Sequence, residues 1–383
     1  MDKNNKNFDL FKLHDTKLDI GSKSWICFYG KNLYNIFDKL VNEIQFLNNI
    51  NKNILIKLIA KKLNCSKGPP TEILYNRKKF VPLPIIIYLL SFVKNKDYYK
   101  NEFIKSTQFI KCNNANSKPI KAVKKLTVPL CKIAGAHAGD GNLYTKCTIE
   151  IKDKITEKAI LSILKKKNCK FNFLEINGRR RIEITIQDYK ELIIILNKFR
   201  KSHAITFSIK NAINIADFYQ SNLEAYKSWL LSSFGIEIKI NNYSKKNAYR
   251  IDIDNKIIAR YLNKFLLFPY GEKTFIVKEP KIITKSTLKF RKAFLLGYVT
   301  FEGHVKKTRN SVQVSSKSCS IIKTSHSTFR ELNIPMRKIH VDGYKRWICI
   351  SKELNRNSLE KALSIFEYGT EKWERLQNKI ENA

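Results

Sequence analysis

Residues 128–144, VPLCKIAGAHAGDGNLY, decide how this chain is read. Pro129 opens a helix, small and apolar residues fill it, and the run breaks at Gly139, Asp140 and Gly141. Asp140 falls at the helix C-terminus, with Gly141 where a left-handed cap favours glycine. Residues 287–305, TLKFRKAFLLGYVTFEGHV, repeat the design and end on Glu302 and Gly303. A carboxylate is misplaced at a helix C-terminus, because the peptide dipoles leave partial negative charge there. Finding this twice predicts a compensating positive charge. Divalent cations are natural candidates, since Mg2+ is held by one or two carboxylates with water and phosphate oxygens. If the two helices pack side by side, Asp140 and Glu302 converge, and Gly135 and Gly139 let the backbones approach closely.

Outward from these segments one unit recurs: helix, strand, tight turn, strand, helix. It spans 157–199, 226–265 and 321–363. In the second copy Tyr249, Ile251 and Ile253 share one strand face while Arg250 and Asp252 share the other. Asn-Gly at 177–178 and Asp-Gly at 342–343 are hairpin signals. Three such copies imply an α+β fold of related blocks. No GxGxxG or phosphate-loop segment is present to support a nucleotide cofactor. The expected organisation is a mainly helical N-terminal domain at 1–100, a polar linker at 101–125, a first half at 126–225 and a second half at 226–383.

The chain has 383 residues, 72 Lys and Arg against 33 Asp and Glu, and a formal charge of +39. AT-rich codon usage would enrich Lys but also Glu, so the surplus asks for a polyanionic partner, and nucleic acid is the usual one. Hydrophobic content of 43% excludes a wholly disordered polycation. The eight cysteines are scattered without CxxC, which argues against a zinc module and fits free thiols in a reducing compartment. That points to an intracellular site, the cytoplasm or an organelle matrix. The N-terminus has no apolar signal core, and the longest apolar run, 82–93, is too short to span a bilayer, so no membrane partner is expected.

IAGAHAGDG (133–141) and LLGYVTFEG (295–303), with YGEKTF and the strand-rich interval between them, resemble the paired motifs of LAGLIDADG homing endonucleases. The likeness covers about 126–380. It implies a pseudo-symmetric core of two αββαββα halves, saddle-shaped antiparallel sheets and the two motif helices at the interface. It implies Mg2+ (or Mn2+) bound by Asp140 and Glu302 at the scissile phosphates, assisted by Lys273 or Lys278. It further implies a free-standing monomer that cuts double-stranded DNA and spreads an intron. Ala138 and Thr300 replace the usual sixth-position acid, and Phe301 replaces a small residue, which works against close helix approach. Two strand-strand-helix units stand between the motifs where one is expected. Strand residues facing DNA would be Arg179, Arg181, Glu183, Arg250, Lys307, Arg309, Gln313 and Lys345. Residues 54–92 resemble a helix-turn-helix whose Lys67, Thr71, Tyr75 and Arg77 would meet the groove or backbone. The rival reading is a non-cleaving LAGLIDADG-type binder, a transcription regulator or an RNA maturase, with RNA then a partner.

Overall fold

The computed structural model describes residues 7–16, 18–19, 22–76, 80–114, 117–166, 169, 171–176, 179–186, 195–196, 199, 205–243, 247–271 and 273–383. They form two compact units, one from Leu126–Ser232 and Glu237–Ala383, the other from residues up to Lys125 with Ser233–Ile236. The class is α+β, helices packed on antiparallel sheets. Among the described residues no helix is long and apolar enough to cross a membrane.

Among the described residues of the N-terminal unit, five α-helices, α1 (Leu33–Asn48), α2 (Lys52–Lys62), α3 (Gly68–Leu74), α4 (Leu83–Leu89) and α5 (Lys96–Ser106), accompany a four-stranded sheet. The sheet order is β2 (Val81–Pro82), β1 (Ile26–Tyr29), β3 (Phe109–Cys112), β4 (Ile120–Lys121). The linker expected at 101–125 is therefore corrected. It holds the end of α5 and two strands, and β3 pairs along all of β1. Ile110 and Ile120 are fully buried in this sheet, so a few alternating apolar side chains outweigh the Asn/Lys-rich composition. Gly30 seals the junction: a methyl there would sit 1.8 Å from the Ser106 carbonyl oxygen.

In the larger unit α6 (Val128–Gly139) leads into β5 (Asn142–Ile151), α7 (Lys154–Lys166), β6 (Phe171–Ile176), β7 (Arg179–Ile186) and β8 (Ile205–Asp217). Then come α8 (Gln220–Phe234), β9 (Asn241–Tyr243), β10 (Ala248–Ile253), α9 (Lys256–Arg260) and α10 (Lys281–Thr284). The second acid-bearing helix, α11 (Leu288–Glu302), is followed by β11 (Gly303–Val305), β12 (Val312–Ser316), α12 (Cys319–Glu331), β13 (His340–Val341), β14 (Trp347–Ile350), α13 (Arg356–Leu363) and α14 (Glu371–Glu381).

Two antiparallel sheets result, β6-β7-β5-β8-β10-β9 and β11-β12-β14-β13. Omitting the α7-β6-β7 segment makes the halves match in element order and in sheet order, β5-β8-β10-β9 against β11-β12-β14-β13. The surplus α7-β6-β7 segment thus sits between β5 and β8, where the second half has only the turn from Val305 to Val312. The boundary expected at 225/226 is corrected by the same pairing. It falls inside α8, and β10 hydrogen-bonds along β8, so the strands up to Ile253 belong to the first half. The hairpin pattern misled because all three copies look alike in sequence while only pairing assigns them to a sheet.

Candidate functional site

Thr127 caps α6, its hydroxyl accepting from the Leu130 amide at 3.3 Å, and the helix then packs along α11 at glycine contacts. A methyl at Gly135 would lie 2.0 Å from the Phe294 carbonyl oxygen, and one at Gly297 would lie 2.0 Å from that of Lys132. The backbones therefore touch. The obstacle expected from Phe301 does not arise, because its ring turns aside into a buried edge-on contact with Tyr226, centroids 6.2 Å apart. Thr300 is buried and its hydroxyl donates back to the Leu296 carbonyl at 2.8 Å.

This packing brings Asp140 and Glu302 together, close enough for the two carboxyl groups to act on each other's ionisation. Gly139 makes room, since a Cβ there would meet Glu302 Cγ at 2.8 Å. Asp140 is exposed as a residue, but protein atoms crowd its carboxyl. Burial first, then the Glu302 and Asp217 charges, hold it above the usual carboxylate range. Burial raises Glu302 likewise, against the opposing pull of Lys273 and Lys372. Two carboxyls this close cannot both ionise without cost, and a shared proton is the expected outcome.

The compensating charge anticipated at the helix ends is present in the chain itself. Lys273 donates to the His137 and Gly139 carbonyls at the end of α6. Lys372, on α14, donates to the Thr300 and Phe301 carbonyls at 2.7 Å each and to Val299 at 3.4 Å, closing the end of α11. Each acid-bearing helix is thus capped by one enclosed ammonium. Burial pushes Lys273 down to about 8, although both acids pull it up, and it lowers Lys372 as well. The glycines play a different part from the one expected. Gly303 is extended at φ −74°, ψ 156°, and starts β11. Gly141 is required because a Cβ would lie 2.2 Å from His137 Nδ1. His137 is fully buried against Phe268, with centroids 4.9 Å apart, and burial holds its imidazole neutral.

Two further members of the site escaped the sequence reading. Lys372 occupies the buried stripe Lys372, Leu376, Ile380 of α14, and a lysine on the apolar side of an amphipathic helix was the available signal. Asp217 ends β8, accepts from the Tyr219 amide at 2.7 Å and from Asn222 Nδ2 at 3.0 Å, and acts electrostatically on both other acids. Its sequence context reads as an ordinary turn acid. Lys278 is exposed and is not among the charges acting on the acid pair. Among the described residues no group of three or more His, Cys, Asp or Glu converges as a ligand cage.

The residues expected to face nucleic acid are dispersed. Arg181 pairs with Glu150 at 3.0 Å and Glu183 with Lys146 at 3.4 Å across β5 and β7. Arg179 starts β7. Arg250 is bound to Asp252 at 2.6 Å and stacks over Tyr243 at 5.6 Å. Lys307 and Arg309 are exposed in the turn between β11 and β12, and Gln313 is half-buried on β12. Lys345 is exposed at φ +57° in the β13–β14 turn. In the N-terminal unit Lys67 is exposed just before α3, and Thr71 donates to its carbonyl at 2.8 Å. Tyr75 reaches back to Asn53 Oδ1 at 3.1 Å, tying α3 to α2. Arg77 lies outside the described residues.

No protein-family model matches the chain. Over 149 residues, 35% of its length, it is 25% identical to a protein named probable translation initiation factor IF-2 from Thermococcus kodakarensis, of which it spans 13%. Among solved structures it is similar to mesophilic variants of the homing endonuclease I-DmoI (TM-score 0.35, 12% identity, 62% of this chain and 94% of that one). The complex of I-DmoI with DNA and Mn gives 0.34 at 12% identity, over 62% and 96%. The I-LtrWI LAGLIDADG homing endonuclease bound to target DNA gives 0.33 at 12% identity, over 67% and 87%.

Proposed function

We propose that this chain is a site-specific double-strand DNA endonuclease of the LAGLIDADG homing type, hydrolysing one phosphodiester on each strand. The observation that carries this reading is the Asp140–Glu302 pair at two abutting helix ends, each end neutralised by an enclosed lysine. A binding protein gains nothing from two crowded carboxylates, whose repulsion burdens the fold. Their oxygens form the hard donor set that Mg2+ or Mn2+ prefers, with remaining positions left to phosphate oxygens and water. A divalent cation held there would supply Lewis-acid charge beside the scissile phosphate.

The chain's own groups have separable tasks in this reading. Asp140 and Glu302 hold the cation and must give up their shared proton to do so. Lys273 and Lys372 fix the helix ends and lower the cost of that second negative charge. Asp217 adds negative potential that favours a cation over an anion. The net charge of +39 draws the duplex to the protein from a distance. The helix pair of the N-terminal unit, α2 and α3, provides a second, auxiliary DNA contact through Lys67.

Asp140→Asn and Glu302→Gln should each abolish Mg2+-dependent cutting of a randomised plasmid library while leaving DNA binding within about threefold. Undiminished cutting by both variants would refute the assignment of the acids. Specific binding by the intact chain without cutting in Mg2+ or Mn2+ would instead identify a regulator or maturase.

A further inference from the structure

The two halves differ most in the strands that leave the acid pair. β5 starts two residues after Asp140 and runs ten residues, pairing with β8 from Asn142↔Asn214 out to Ile151↔Ile205. β11 starts directly after Glu302 and runs three, pairing only from Gly303↔Val314 to Val305↔Val312. At about 3.4 Å per residue the first arm carries ~24 Å more strand. The surplus unit emerges from the far end of this arm and folds back, laying β7 against β5 and β6 against β7.

The widened arm has two distinct faces. On one, Cys147, Ile149, Ile160, Leu164, Ile182 and Ile184 form a closed apolar cluster. On the other, cross-strand neighbours Glu150 and Arg181, then Thr148, Glu183 and Asn172, present donors and acceptors. Lys146–Glu183 and Arg181–Glu150 are partly exposed ion pairs that cancel in net charge. Such a face suits hydrogen-bond readout of base edges better than bulk attraction to phosphate, for which unpaired lysines serve.

We propose that the α7-β6-β7 segment makes DNA recognition asymmetric, extending contact on one side of the cut by about seven base pairs beyond the other. The estimate divides the extra strand length by the 3.4 Å rise per base pair. This rests on the endonuclease reading and specifies the shape of its target.

The test is hydroxyl-radical footprinting of the full chain on a binding-selected duplex in Ca2+, followed by mapping of the cut in Mg2+. The expected cut lies off-centre in the footprint by several base pairs. Two variants assign the long side: the double exchange Glu150→Arg with Arg181→Glu, which retains an ion pair, and Asn172→Glu on an exposed position. Each should shorten protection at the long end alone and weaken binding at least fivefold. A centred cut, or protection lost equally at both ends or at neither, overturns the proposal. Binding without any cut overturns the nuclease reading alone, and the one-ended loss still decides the asymmetry. Absence of DNA binding overturns both.

Discussion

Asp140 and Glu302 carry raised proton affinities, and that has a sign that can be checked. In the folded chain these carboxyls bind protons at pH values where the unfolded chain has released them. Stability contributed by this pair therefore falls as pH rises from the ordinary carboxylate range through the raised one. Asp140→Asn should raise the metal-free melting temperature by about 2 °C at pH 8 and leave it unchanged at pH 4, as calorimetry would show. On the endonuclease reading, Mg2+ should release protons on binding, measurable by titration calorimetry in buffers of different ionisation enthalpy, and the Asp140→Asn variant should release fewer, since burial still raises Glu302. Lys372→Met should destabilise the chain at neutral pH, because three carbonyls at the end of α11 lose their donor. It should also move the alkaline-going limb of any cleavage profile to higher pH, since the acids lose a favourable neighbour. A melting temperature equal to wild type would show that the cap is dispensable.

At the scale of elements, the contact between α6 and α11 leaves no room for a side chain at its glycines. Gly135→Ala or Gly297→Ala places a methyl inside van der Waals distance of backbone carbonyls that cannot swing away. The expected cost is at or above the roughly 1–3 kcal/mol typical of overpacking, with cleavage lost in proportion, and urea denaturation would measure it. Much of this was legible in sequence: helices ending in acids, small residues spaced for close approach, and the helix-hairpin-helix copies at 226–265 and 321–363; the turn and most of the closing helix of the copy at 157–199 lie outside the described residues. What was not legible has physical causes. Strands β3 and β4 are so short that period-two alternation barely registers, and their polar surroundings outvoted two buried isoleucines. Lys372 looked like one of many lysines, because burial of an ammonium shows only when its carbonyl partners are placed. The second hairpin was assigned to the wrong half because partner choice is a long-range property that no local pattern encodes.

On the endonuclease reading, the charge surplus over the whole molecule sets how it meets duplex DNA. Affinity for duplex DNA should fall linearly with salt on logarithmic axes, and Lys67→Ala should reduce that slope by about one if it contacts a phosphate. Fluorescence anisotropy across a salt series reads both quantities, and an unchanged slope would remove Lys67 from the interface. The internal comparison of the two halves was beyond sequence alone, since it depends on seeing β5-β8-β10-β9 and β11-β12-β14-β13 as one arrangement used twice.

Lys372 lies 71 residues beyond the Phe301 carbonyl that it secures. During synthesis both acids leave the ribosome long before that ammonium can reach them. A nascent chain therefore holds Glu302 on a helix end that is still open to fraying. On the endonuclease reading, hydrolytic competence waits until the segment that carries Lys372 has been made and has closed over that helix end.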